Sequence, residues 1–366
     1  MNREASPGQG EITKTTAFPT ISLIKAWFFH HTNIHYFVDT NMFSSMASSS
    51  MILVGRYGQR LVTPATRGIV SRWQSSATGS GSHKEFEDNT LNTPLPSHDP
   101  ENPPLMERSD KGFFARLLDK YSLSQQTKRI LVAESFLQAA TRQASDPRWF
   151  GPGRIDRGFR SYQALLTMHI WFLHKRLIGD QEDPHQAALI QEELFDIFWT
   201  DSTNRMRAHG VNELLINKNL KTVQQYTFMH LFHYDHCYTE LLDSPRDRLD
   251  ELKNLVLTHI LLVNPDDQKA LDLHEDHAER IAWYIETQYQ NIVHDLPDSF
   301  YRKARIAWVD LPDFSNLKDG SGRILEEIPI DSDDILPKNW WRNIANDGTY
   351  YYWNEKTRKA QWERPR

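Results

Sequence analysis

Residues 159–177 read FRSYQALLTMHIWFLHKRL, and Phe159, Tyr162, Leu166, His169, Ile170, Leu173 and Leu177 recur at intervals of three and four. That period places apolar side chains along one face of a helix. The same texture extends outward. Ile130, Leu131, Phe136 and Leu137 form an earlier helical pattern that stops at Asp146-Pro147. Later patterns span 186–208, 219–243, 246–263 and 275–294. Gly179, Pro184, Gly210, Pro245 and Pro265 punctuate them, as helix ends require. No convincing run of alternating strand residues appears before residue 336. The expected fold is an all-α multi-helix domain over 111–315, followed by something different.

That different element is 336–366, LPKNWWRNIANDGTYYYWNEKTRKAQWERPR. Asn346-Asp347-Gly348 supplies a tight turn, because Asn and Gly tolerate positive φ. Strand alternation then puts Tyr351, Trp353 and Glu355 on one face and Tyr350, Tyr352 and Asn354 on the other. With Leu336-Pro337 ahead of Trp340, and Trp362 three residues before Pro365, the stretch resembles a WW domain. The resemblance implies a small three-stranded antiparallel β sheet that binds proline-rich peptides. It implies a structural clasp of Trp340, Tyr352 and Pro365 on the back of the sheet. Tyr351 and Trp362 would stand open on the front as a slot for a proline ring. Polyproline II ligands suit such slots because they are already extended. Trp353 adds a third aromatic, and Glu355 stands where domains that read a ligand tyrosine often carry histidine. Both features favour runs such as Pro-Pro-Leu-Pro.

Bulk composition bounds the rest. The 366 residues are 39% hydrophobic and 25% charged, enough for two or three domains. One cysteine, Cys237, excludes an internal disulfide and any cysteine-based zinc site. Residues 1–84 carry a net charge of +5, leaving −11 on the remainder. An acidic body is not expected to bind nucleic acid directly; Arg205, Arg207, Lys218 and Lys221 read as a solvated helix face. No apolar run approaches the ~18–20 residues of a membrane-spanning helix.

From Thr40 to Lys84 there is no Asp or Glu, while Arg56, Arg60, Arg67 and Arg72 alternate with Ser, Ala and apolar residues. That is the composition of a mitochondrial transit peptide. Residues 1–80 are therefore expected to be an N-terminal extension and leader, with translation starting near Met46 and processing near Arg72-Trp73. Residues 81–110 follow as a proline-rich acidic linker, and a second acidic linker spans 316–335.

Three ordered motifs lie in the helices: Leu166-Thr167-Met168-His169-Ile170-Trp171, then Phe198-Trp199-Thr200-Asp201 with Arg205, then Tyr234-Asp235. In that order the helical region resembles the ubiquinol–cytochrome c reductase chaperone family over roughly residues 115–300. The resemblance implies a mitochondrial factor for cytochrome b synthesis and complex III assembly, in the matrix or on the matrix face of the inner membrane. Its implied partners are nascent cytochrome b and a small assembly partner protein, with room for peripheral membrane association. An aromatic groove would shield apolar client segments. Phe159, Tyr162, Trp171 and Trp199 belong either to that groove or to the core.

Patterns that look chemical do not converge. His230 and His233 sit about 60° apart on a helix, but His236 is turned about 240° from His230. His274 and His277 are spaced i, i+3, where a zinc-protease helix needs i, i+4. Phosphate-binding glycine loops and a nucleophile elbow are absent. No enzyme activity, metal or cofactor is expected. The alternative is a cytosolic or nuclear WW adaptor scaffolding proline-rich partners. Pro94-Leu95-Pro96 and Pro103-Pro104-Leu105-Met106 offer a ligand within the chain itself; a segment on an assembly partner is the other candidate.

Overall fold

Asp146, Asp183, Asn212 and Asp267 each turn a side-chain oxygen onto a backbone N–H of the helix that follows. Such caps satisfy donors that a helix start leaves open. The computed structural model describes residues 122–365, within one compact unit of the chain. The leader and the proline-rich linker lie outside the described residues.

The helices are α1 (Leu123–Ala144), α2 (Pro147–Phe150), α3 (Phe159–Ile178), α4 (Pro184–Ala208), α5 (Glu213–Cys237), α6 (Pro245–Leu255), α7 (Gln268–Tyr289) and α8 (Asp298–Tyr301). α6 and α7 each run on into a π-turn, at Val256–Ile260 and Gln290–Asp295. Pro147, Pro184 and Pro245 open their helices, where a missing N–H does no harm.

α3 is the centre. It packs on α1, α4, α5 and both π-turns, and every residue from 163 to 174 is buried. A helix surrounded on all sides needs apolar or satisfied groups all round, so the one-faced pattern expected from its spacing understates its burial. α5 begins six residues earlier than expected, because the Asn212 cap sets the start. α7 likewise starts at Gln268, behind Asp267.

After α8 the chain stays on the helices. Leu311, Phe314 and Leu317 are buried, and Arg280 of α7 donates to the carbonyls of Asp313 (2.6 Å) and Ser315 (2.8 Å). The terminal sheet has the order β1-β2-β3, with β1 at Trp340–Ile344, β2 at Tyr350–Asn354 and β3 at Lys359–Gln361. Both pairings are antiparallel. The described residues are thus an all-helical body followed by a three-stranded sheet.

Candidate functional site

The first and third helical motifs meet inside the body, and the second reaches the start of α3 through Arg205. On α3, Trp171 is buried against Tyr234, Tyr238 and Tyr289 at ring-centroid distances of 5.1, 5.2 and 5.4 Å. Its Nε1 donates to Asp235 Oδ1 at 2.8 Å, and Lys175 Nζ lies 3.2 Å from the same oxygen. The Tyr-Asp pair of α5 therefore exists to receive the tryptophan of α3: Tyr234 takes its ring and Asp235 its N–H.

His169, two residues before Trp171, is also buried. Its Nδ1 lies 2.7 Å from the Leu165 carbonyl and its Nε2 lies 2.9 Å from the Tyr284 hydroxyl. A carbonyl can only accept, so Nδ1 carries the proton and Nε2 accepts from the tyrosine. Burial lowers this imidazole to about 4, which keeps it neutral. On α4, Arg205 Nε donates to Asp201 Oδ2 at 2.6 Å, and its guanidinium stands 4.3 Å from the Tyr162 ring centre.

Trp171 and Trp199 are thus core residues and do not line a client groove; both are buried. Phe159 instead lines a small cavity of about 40 Å³ between α3 and α5, with Ala164, Val223 and Tyr226. α5 carries a run of exposed apolar side chains. Leu214 is 90% and Phe232 66% exposed, with Leu215, Tyr226 and Met229 also exposed. Between Leu214 and Tyr234 this helix carries no Asp or Glu, although the body is acidic.

The histidine pattern on α5 acquires a partner 26 residues away. His259, from the π-turn after α6, sits 3.1 Å from His233 by its Nε2, and its ring centre lies 4.1 Å from that of His230 in a tilted arrangement. Burial lowers His230 to about 3 and His259 to about 4, and neighbouring imidazoles add to both shifts. These are neutral packed rings, and among the described residues no group of three or more ligand side chains is placed to hold a metal. Cys237 is buried, and desolvation pushes its thiol up to about 12, which leaves it unreactive at neutral pH.

In the sheet, Trp341 pairs with Trp353, Asn343 with Tyr351, and Trp353 with Ala360. Residues directly opposite share a face, so Trp341, Tyr351, Trp353 and Ala360 line one side. Trp362 packs on it, 6.1 Å from Tyr351 in an edge-on arrangement. Trp340 and Tyr352 fall on the opposite side and are half-buried, and Pro365 is buried. Asp347 accepts from Thr349 N at 2.9 Å, and Gly348 turns the chain at φ +87°. Asn354 Oδ1 accepts from the backbone of Lys356 (3.0 Å) and Thr357 (2.8 Å), which closes the second turn.

The expected open slot is not open. Tyr351 is 6% and Trp353 3% exposed, while Trp362 is half-buried. The sheet lies against the body. Arg142 of α1 stands 4.3 Å over the Trp341 ring and 3.6 Å from Glu355, and Trp341 Nε1 donates to Glu355 at 3.2 Å. Glu134 of α1 and Asp201 of α4 lie close enough to act on the Tyr351 hydroxyl, which burial holds above its ordinary range. Desolvation raises Glu134 to about 7. At the first turn, Asn204 Nδ2 donates to Asn346 Oδ1 (3.2 Å) and Arg207 to the Asn346 carbonyl (3.1 Å). A Cβ on Gly348 would lie 2.6 Å from the Ala208 backbone nitrogen.

These features define a helical, motif-packed body that carries an aromatic sheet against its side. Residues 154–308 match the model of the ubiquinol-cytochrome C chaperone family, so the central helical region is similar to that family. Among solved structures, the crystal structure of the Cbp3 homolog from Brucella abortus is similar at 15% identity and a TM-score of 0.40. The match covers 54% of this chain and 97% of that one; a likeness this distant carries no further argument. Comparison with curated proteins gives no match.

Proposed function

We propose that the protein is a non-enzymatic mitochondrial chaperone that assists cytochrome b biogenesis and the assembly of respiratory complex III. The observation that carries this reading is the family match over 154–308, which contains all three motifs. Those motifs build the scaffold and leave recognition to the surface. The exposed apolar side of α5 is the surface we assign to the client, because Leu214, Leu215, Met229 and Phe232 offer contact area without acidic side chains that would oppose burial. Nascent cytochrome b, a small assembly partner and the matrix face of the inner membrane complete the setting. No helix among the described residues is long and apolar enough to cross a membrane.

We assign proline-rich peptide binding to the sheet at Tyr351, Trp353 and Trp362, with Glu355 at the rim and Trp340, Tyr352 and Pro365 behind it; a peptide would enter only once the buried faces of Tyr351 and Trp353 are uncovered. The sheet's seating on α1 and α4 favours a module that serves the helical body over a freestanding adaptor. Cells in which residues 111–315 are deleted should lose complex III selectively. A second variant, Leu214→Ser with Phe232→Ser, should fold normally, since both side chains are exposed, yet lower complex III. Normal complex III in the deletion would refute the function, and normal complex III in the double variant would refute the surface.

A further inference from the structure

α7 turns one tryptophan outward. Trp283 is 55% exposed, the most of any tryptophan among the described residues. It stands on an open groove of about 360 Å³ between α7 and the chain at 309–313. None of the residues lining this groove belongs to α5, so it is separate from the surface assigned to the client.

Both walls of the groove are held in place. The Val309 carbonyl accepts from Gln288 Nε2 at 2.9 Å and from Gln143 Nε2 at 3.2 Å. Further along, the Asp313 carbonyl accepts from Arg280 of α7 at 2.6 Å. The Tyr284 hydroxyl is engaged inside the body, with Gln143 at 3.0 Å and His169 at 2.9 Å. Tyr284 and Val309 thus line the groove with their polar groups already partnered, and a ligand meets apolar surface there.

The rim is acidic. Asp310 lies 2.8 Å from Arg148, which it shares with Asp146. Arg280 divides its guanidinium between Asp276 and backbone carbonyls. Asp313 accepts from the backbone and hydroxyl of Ser315, both at 2.9 Å. Two arginines therefore serve four carboxylates, Asp146, Asp276, Asp310 and Asp313. Glu279, exposed, lies one helical turn before Trp283. The Arg148 hydrogen bond lowers Asp310 and the Ser315 backbone lowers Asp313 below the ordinary carboxylate range, so both are charged at neutral pH.

An acidic rim repels anionic lipid and nucleic acid. It draws a cation, and a tryptophan face is the best aromatic platform for one. Arginine and lysine also carry an apolar stem, which suits Tyr284 and Val309. We propose that the groove binds a basic segment of a partner protein, laying an arginine or lysine over Trp283 with its head toward Asp310 and Asp313. Tryptophan and arginine are the side chains that most often dominate binding at protein contacts.

The probe is a synthetic peptide of arginines spaced by alanine and leucine. It is titrated into the full chain labelled with fluorotryptophan, the Trp283 signal being assigned by its loss in Trp283→Phe. The peptide should move that signal, and Trp283→Ala should weaken binding about two- to fivefold by fluorescence anisotropy. Asp310→Asn with Asp313→Asn keeps an oxygen acceptor at both turns and should weaken it roughly three- to tenfold at low salt. No movement of the Trp283 signal at millimolar peptide overturns the site, whether the peptide binds elsewhere or not at all. Equal binding of the same peptide with citrulline in place of arginine overturns a cationic ligand. Movement caused by phosphatidylcholine vesicles and not by the peptide would assign the groove to a lipid headgroup and overturn a protein partner.

Discussion

Gly348→Ala offers the sharpest probe of the contact between sheet and helices. Gly348 sits at φ +87°, and an added Cβ would lie 2.6 Å from the Ala208 nitrogen and 2.7 Å from the Arg207 carbonyl carbon and Cβ. Carbon contacts relax near 3.5–4.0 Å, so the turn must back away from α4 by about 1 Å. Such a shift breaks the Asn204–Asn346 and Arg207–Asn346 hydrogen bonds, worth about 1 kcal/mol each. The left-handed backbone adds about 1–2 kcal/mol for any residue with a side chain. The sum is about 3–4 kcal/mol. Gly210 is the matched control: its φ is +76° and nothing lies within 4 Å of its added Cβ, so Gly210→Ala should cost only the backbone share of about 1–2 kcal/mol. Urea unfolding of the full chain, followed by circular dichroism and by tryptophan fluorescence, compares the two. If Gly348→Ala is no more destabilising than Gly210→Ala, the sheet does not rest on α4.

Other substitutions test the body. Arg302→Ala strands Asp180, a buried carboxylate whose ion pair to that arginine measures 2.7 Å; unfolding should be easier by about 3 kcal/mol, with Arg302→Lys recovering part of the loss. Trp171→Phe keeps a ring among Tyr234, Tyr238 and Tyr289 but removes the 2.8 Å donor to Asp235, a loss of about 1–3 kcal/mol by chemical denaturation, whereas Trp171→Ala should lose about 3–5 kcal/mol. His169 is held at about 4 in the fold against an ordinary 6.5, so the unfolded chain takes up its proton first as pH falls. Its contribution is full above pH 6.5 and drains between 6.5 and 4, at about 1.4 kcal/mol per pH unit. His169→Gln should remove that much of the slope in a series of urea midpoints across this range, and an unchanged slope would show that the residue is not a buried neutral imidazole.

Much of this was readable from residue order. The spacing along 159–177 is a helix, the proline punctuation opens α4 and α6, and Asn346-Asp347-Gly348 makes the turn between β1 and β2. The face assignment of Tyr351 and Trp353 follows from alternation alone. What spacing could not reveal was tertiary. α3 is buried all round because helices from distant parts of the chain enclose it, and the same enclosure turns Trp171 and Trp199 into core. His259 joins His230 and His233 across 26 residues or more, which no local pattern encodes. The early start of α5 was hidden because Asn217, Lys218 and Asn219 interrupt the apolar period, while the Asn212 cap decides the helix end. Tyr351 and Trp353 are buried, whereas a motif read in isolation assumes that its face meets solvent.

The client we propose for this body is newly made cytochrome b. The most direct test is to pulse-label the products of mitochondrial translation, recover the full chain under native conditions, and identify what accompanies it. Cytochrome b should be enriched over every other labelled product, and the Leu214→Ser, Phe232→Ser variant should recover markedly less of it. Recovery of all products in equal proportion, or of none, would contradict the account.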